Sequence, residues 1–234
     1  MGLICPLTII LKIELRNLFG PDVDLGWDEP IPREQHDAWV EILSMFLSMV
    51  EILIGRAARP AGVEDVPELV GFGDGSLLAY ACVIYARWKV LKKCARDPDE
   101  FVVRIICGKA RVTPVRGTTA PRSEISGFLI LTRLLKVVID AMEFKPSRVT
   151  LAVDSQCSIS ALQKSGGLLA PYFASRVSES VTNLSQLPEE ILVDPIQHVP
   201  GPMNPADIPT RSNTLPDDVR PGSCLLYTSD AADE

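Results

Sequence analysis

Four acidic residues stand where a carboxylate can do more than solvate a surface: Asp74 in GFGDGSLLAY, Glu124 in PRSEISGF, Asp154 in LAVDSQ and Asp207 in HVPGPMNPADIPTR. A single Asp or Glu is most often a solvated charge. Asp154 resists that reading best. It directly follows the mostly apolar stretch RVTLAV (148–153), which has the pattern of a strand buried on both faces of a sheet. A charge at the carboxyl end of such a strand is costly unless something compensates it. If the strand that leads into Asp74 is its neighbour, two carboxylates face each other across one sheet edge. Like charges that close need a cation between them. Hard oxygen donors, no thiolate and only two histidines in the chain point to Mg²⁺ or Mn²⁺.

The elements that must position these residues alternate in type. A short apolar strand from Val70 leads into Asp74, Leu77 to Trp88 reads as a second strand rich in apolar and aromatic residues, and Phe101 to Val112 as a third. A helix follows. Thr119 can cap it, Pro121 fits its first turn, and Ile125, Phe128, Leu129, Leu131, Leu135 and Val138 recur at helical spacing. After strand 148–153 the pattern predicts helices over 155–164 and 171–187, a last strand over 191–199, and a final helix beginning near Asp207. The first three strands are expected to be hairpin neighbours. The fourth, reached through a helical crossover, is expected to lie parallel to the first.

Residues 1–60 look helical and carry no visible chemistry. Thr8, Ile9, Ile10, Leu11, Ile13, Leu15 and Leu18 suggest one broad face, and Trp39, Ile42, Met45, Phe46, Met49, Ile52 and Leu53 a second helix over 34–54. A Pro- and Gly-containing linker at 61–69 would separate this section from a domain over 70–212, with a tail at 213–223. The last eleven residues, CLLYTSDAADE (224–234), resemble the conceptual translation of a sequencing-library adapter and are set aside.

The composition, 47% hydrophobic and 23% charged in 234 residues, suits a packed globular core. A net charge of −7 argues against coating nucleic acid through bulk charge, though not against a local basic face. Six cysteines without a CxxC pair or finger-spaced histidines make a zinc site improbable and suit reduced, buried thiols. The apolar opening, closed early by Lys12 and Glu14, is a poor signal peptide, and no run is long enough to span a membrane.

With D-G-S on the first strand, E on the first long helix, D-S-Q after the fourth strand and the closing string HVPGPMNPADIPTR, the chain resembles the ribonuclease H core of retroelements. GLICPLTI, LGWDEPIP, RGTTAPRSEISGF and DSQCSISAL are similar to the BEL/Pao branch of retrotransposon polyproteins in particular, in register up to about Arg211. The resemblance implies an α/β fold, a ribonuclease H-like mixed five-stranded sheet flanked by helices with an N-terminal helical segment. Residues 1–60 would be the thumb or connection tail of a reverse transcriptase whose palm and fingers lie elsewhere in the polyprotein, leaving apolar helical faces in need of a partner surface. Asp74, Glu124, Asp154 and Asp207 would hold two Mg²⁺ or Mn²⁺ ions and cut the RNA strand of an RNA/DNA hybrid. His198 matches the histidine of the closing motif, either as a proton shuttle or aid to product release, or as a structural residue ordering the Pro200–Gly201 loop. The setting would be a cytoplasmic virus-like particle, with a nuclear stage later.

For the hybrid itself, residues 86–122 carry Arg87, Lys89, Lys92, Lys93, Arg96, Arg104, Lys109, Arg111, Arg116 and Arg122 against Asp97, Asp99 and Glu100, a net +7. Such a stripe can hold phosphates, and it can equally be a solvated surface. Small Gly75 and Ser76 would let a minor groove come close. Ser155 and Gln156, beside Asp154, join the nucleic-acid-binding set. So does Asn204, although bracing the loop or the metal site suits it better than touching substrate. A silent ribonuclease H-like tether would lack the acids that are present here. An aspartic peptidase needs D-[ST]-G, and Asp74-Gly75-Ser76 has that order wrong. A transposase or integrase places its glutamate late, whereas Glu124 comes second. No Y-x-D-D-like string for DNA synthesis is present.

Overall fold

The computed structural model describes residues 4–20, 25–26, 28–48, 57–92, 94, 98–164 and 168–211. Helix α1 (Cys5–Leu18) and helix α2 (Arg33–Ser48) precede strands β1 (Glu68–Gly75), β2 (Ala79–Lys89) and β3 (Phe101–Val112). Helix α3 (Ala120–Ala141), strand β4 (Arg148–Val153) and helices α4 (Gln156–Gln163) and α5 (Pro171–Ser185) follow. Strands β5 (Leu192–Val193) and β6 (Gln197–His198) and two 3-10 turns, Gly201–Met203 and Pro205–Thr210, complete the described chain. Met49, Ile52, Leu53 and the segments 213–223 and 224–234 fall outside the described residues.

The sheet order is β3-β2-β1-β4-β5, with β6 also pairing β4. β1, β2 and β3 form antiparallel neighbours, and β4 runs parallel to β1 with Gly73 opposite Val153. This is the expected mixed sheet, and it differs from expectation at the far edge. The predicted last strand over 191–199 is two short strands. Between them Asp194 accepts hydrogen bonds from Arg148 Nη1 (2.8 Å) and Thr150 Oγ1 (2.6 Å), and Pro195 has no N–H to donate, so the chain leaves the ladder and rejoins it.

α3 covers one face of the sheet, and Phe128, Leu131, Leu135 and Ile139 pack on Leu69, Ile84, Trp88, Val149 and Leu151. Thr119 stands at the N-cap of α3, yet its side chain makes no capping hydrogen bond. α1 lies on the opposite face. Its Leu7 joins Val83, Tyr85, Ile105 and Ile208, while Ile9, Ile10 and Ile13 join Ala79, Ala81 and Ala110. Arg16 locks it there, donating to the carbonyls of Leu78 (3.3 Å) and Thr113 (3.2 Å). The apolar face of α1, expected to wait for a partner outside the chain, is therefore already spent on this sheet, with Leu15 left on the exposed side. Between Ile84 and Tyr85 of β2 the pairing passes over Ile106 of β3, a bulge of one residue.

Among the described residues no helix is long and apolar enough to cross a membrane. Cys82 and Cys107 are buried free thiols, and burial pushes Cys107 up to about 11. Cys94 and Cys157 are exposed, contrary to the expectation that all the thiols are interior.

Candidate functional site

The carboxylates meet where β1 and β4 end side by side. Asp74 is the penultimate residue of β1 and Asp154 immediately follows β4, one step beyond the paired Gly73 and Val153. Two glycines then let β1 and α3 touch backbone to backbone. A Cβ on Gly75 would overlap the Ser123 carbonyl and crowd the Glu124 amide, and one on Gly127 would overlap the Asp74 carbonyl. Glu124, early in α3, is thereby delivered to the same corner. Ser155 Oγ donates to Glu124 Oε2 (2.5 Å) and accepts from Ser158 N (3.2 Å), so one hydroxyl both caps α4 and orients a carboxylate.

The terminal 3-10 turn Pro205–Thr210 brings in Asp207. Asn204 caps that turn through Ala206 N (3.1 Å) and donates to the Gly73 carbonyl (3.2 Å), fastening the turn to β1 one residue before Asp74. Thr210 Oγ1 lies 2.5 Å from Asp74 Oδ2. Ser76 Oγ donates to the Thr210 carbonyl (2.7 Å) while accepting from Leu78 N and Ala79 N in the β1–β2 turn. Asp207 itself forms an ion pair with Arg211. His198 pairs opposite Val153 in β6, and its Nε2–H donates to the Asp154 carbonyl (3.0 Å). Gly201 runs beside Asp154, where a Cβ would come within 3.3 Å of Oδ2.

Electrostatically the corner is unfavourable as it stands. Asp74 is only 7% exposed, and its carboxyl is pushed up to about 6, first by burial and then by the charges of Asp154 and Asp207, against the Thr210 hydrogen bond. Asp74, Asp154 and Asp207 thus share one field, and hard oxygen donors in a common negative field are the chemistry that suits a divalent cation. Among the described residues, no three His, Cys, Asp or Glu side chains converge tightly enough to form a finished metal site. Glu124 and Asp207 are instead turned to Ser155 and Arg211.

The nucleic-acid-binding set divides. Gly75 is buried against α3, Ser76 and Asn204 are committed to the turns, and Ser155 is committed to Glu124. The small size of Gly75 and Ser76 serves the packing on α3 and the β1–β2 turn. Gln156 is exposed at the start of α4. Arg104, Lys109 and Arg111 pair opposite Ala86, Cys82 and Tyr80, which places them on the α3 side of edge strand β3, and Arg116 is exposed in the loop that leads to Arg122. Other members of the basic stripe are neutralised locally. Arg87 pairs with Glu68 (2.6 Å), and Lys89 and Lys92 share Asp99 (3.1 and 2.7 Å). Lys93, Arg96 and Asp97 lie outside the described residues.

The structure adds residues that the sequence did not single out. Thr210 and Arg211 hold two of the carboxylates, and a polar cluster of Ser126, Tyr172 and Arg176 forms on the α3–α5 contact. The spacing of Asp207 and Thr210, one helical turn, was the available signal for the first.

The family model for the Pao retrotransposon-like RNaseH-like domain matches residues 1–155. Among curated proteins none matches the chain. Solved structures with a similar course include the N-terminal RNase H domain of a Mycobacterium tuberculosis protein fused to maltose-binding protein (13% identity, 59% of this chain and 86% of that one, TM-score 0.41). RNase H1 of the halophilic archaeon Halobacterium salinarum gives 13% identity over 59% and 90%, with a TM-score of 0.38. The foamy viral protease-reverse transcriptase in complex with dsDNA gives 13% over 85% and 40%, with a TM-score of 0.30.

Proposed function

The chain belongs to the Pao retrotransposon-like RNaseH-like domain family, and on that premise we propose that it is a metal-dependent endonuclease that hydrolyses the RNA strand of RNA/DNA hybrids during reverse transcription. The observation that carries the reading is the shared field of Asp74, Asp154 and Asp207 at the carboxyl ends of two adjacent parallel strands, with Glu124 delivered by backbone contact. Asp74, Glu124, Asp154 and Asp207 would hold Mg²⁺ or Mn²⁺, two ions in all. Bound there, the ions would supply the positive charge that offsets the developing phosphoryl charge and the acidity that turns water into a nucleophile at neutral pH.

The protein's own part is placement. Asn204 and Ser76 fix the terminal turn, Thr210 holds Asp74, and Ser155 holds Glu124, supports that would bring the four carboxylates to one geometry around the ions. His198, exposed and bonded to the Asp154 carbonyl, would pass a proton to solvent or order the loop that follows it. The β3 residues Arg104, Lys109 and Arg111 would take backbone phosphates, and the 2′-hydroxyls of the RNA strand would distinguish it from DNA. The polymerase palm and fingers of the same polyprotein would be the physical partner and a cytoplasmic virus-like particle the place of action.

One observation favours a second reading, a tether that binds nucleic acid without cutting it: Glu124 and Asp207 already have partners within the chain. The full chain, α1 included, should be incubated with a hybrid labelled separately on each strand, with Mg²⁺ or Mn²⁺, beside Asp154→Asn. RNA-only cleavage that vanishes in the variant supports the enzyme. Binding without cleavage by the wild type leaves the tether.

A further inference from the structure

Two arginines share one tyrosine ring at the contact between α3 and α5. The guanidinium carbon of Arg176 lies 3.4 Å from the centroid of Tyr172 and that of Arg122 lies 4.9 Å from it. Ser126 Oγ links them, accepting from Arg176 Nε (3.3 Å), bonding to the Arg122 carbonyl (2.7 Å) and meeting Tyr172 Oη (3.1 Å). A ring face attracts one cation readily, but two cations around one ring repel each other.

Among the described residues the nearby carboxylates are engaged elsewhere. Neither arginine forms an ion pair there. Glu179, three residues after Arg176, feels its charge but gives both oxygens to Arg133 (2.5 and 2.8 Å). Glu124, two residues after Arg122, accepts from Ser155. Of the five N–H donors that each guanidinium carries, Arg122 spends one on the Gly117 carbonyl, and Arg176 spends two, on Ser126 and on the Tyr172 carbonyl. Both side chains are part-buried and held by neighbours, so their forks are set in place before any ligand arrives.

We propose that Arg122, Arg176 and Tyr172 form a seat for a backbone phosphate of the nucleic acid, at the α3–α5 contact and separate from the basic face of β3. Planar forks match phosphate oxygens two at a time, and a pre-set pair loses little rotamer freedom on binding. Arg122 and Glu124 are two residues apart on one helix, so they project from different faces of its first turns, and the seat grips the nucleic acid on the α5 side of α3. The seat rests on the nucleic-acid reading above and adds to it a second point of grip, on the helical side of the site.

The test is hybrid binding by the full chain in EDTA, followed by fluorescence anisotropy from 50 to 200 mM salt. The slope of log K against log salt falls by about one for each phosphate that is no longer neutralised. Arg122→Gln and Arg176→Gln should each lower the slope by about one and weaken binding several-fold. Arg133→Gln, at the same α3–α5 contact but already paired with Glu179, should leave the slope unchanged. In the cleavage assay the two Gln variants should raise KM and leave kcat near wild type. Arg176→Lys keeps the charge without the fork, and should retain the wild-type slope while binding several-fold more weakly, which covers the case in which the Gln variants do not fold. Wild-type slopes in both Gln variants, or wild-type affinity in Arg176→Lys, would overturn the seat alone. No hybrid binding by the wild type would overturn the nucleic-acid reading and the seat with it.

Discussion

Replacing Asp74 with Asn should destroy activity and stabilise the protein, and the size of the gain is set by its surroundings. The folded protein raises the Asp74 carboxyl from 3.8 to about 6, so it binds the proton more tightly than the unfolded chain does. Stability therefore falls as pH rises from about 4 to about 6, and the penalty is complete above that window. At 1.36 kcal/mol per pKa unit the cost of ionising Asp74 reaches about 3 kcal/mol at neutral pH. An Asn there carries no charge, and its amide oxygen can still accept from Thr210. The variant should melt roughly 6–12 °C above wild type at pH 8, and the gap should close as the pH falls to 4. Millimolar Mg²⁺ should narrow the gap at pH 8, because a cation bound among the carboxylates favours the ionised wild type and finds less to hold in the variant. Differential scanning calorimetry across pH, with and without Mg²⁺, measures all three. A variant less stable than wild type at pH 8, or a gap unchanged between pH 8 and pH 4, would refute the argument from burial and mutual repulsion.

Three other perturbations probe the supports of the site. Gly75→Ala forces β1 away from the first turns of α3, and urea unfolding should show a loss of about 3 kcal/mol or more together with loss of cleavage. Asn204→Ala leaves the Gly73 carbonyl and the Ala206 amide without partners, at a cost of about 1–3 kcal/mol. It should slow cleavage by displacing Asp207 while hybrid affinity stays at wild type by anisotropy. Leu7→Ala removes a side chain that is 1% exposed between α1 and the sheet. It should cost about 2–5 kcal/mol in the same urea assay, and a loss under about 0.5 kcal/mol, the range of an ordinary surface substitution, would mean that α1 is not anchored as described.

The strands and the long helix were legible because each carries a local signal. FVVRIICGKARV and RVTLAV are bounded where their apolar pattern stops, and Phe101–Val112 and Arg148–Val153 are the strands found. The order of the elements also placed the ends that carry Asp74 and Asp154 side by side, since β1 and β4, joined through α3, run parallel. What failed to show was tertiary. Leu15 has the same local pattern as Ile13, and only docking on β2 and β3 decides that one is covered and the other exposed. Pro195 was visible, yet the break in the last strand depends on Arg148 and Thr150 reaching Asp194 from the neighbouring strand. Gly75 and Ser76 were read for their size. Their use, backbone contact with α3 and a three-way hydrogen bond in the turn, depends on partners 48 and 134 residues away in sequence. The stacking of Arg122 and Arg176 on Tyr172 crosses two helices and leaves no local periodicity.

α1 also sets a timetable for synthesis. The surface under its Ile9, Ile10 and Ile13 is completed by Ala110, and its Arg16 reaches Thr113, 97 residues downstream. At translation rates of about 5–20 residues per second, the helix leaves the ribosome roughly 5–20 s before the surface that will cover it exists. During that interval Ile9, Ile10 and Ile13 are open to whatever is near. The nascent chain should therefore depend on a chaperone more strongly than the finished fold suggests, and weakening α1's apolar side should relieve that dependence even as it loosens the mature protein.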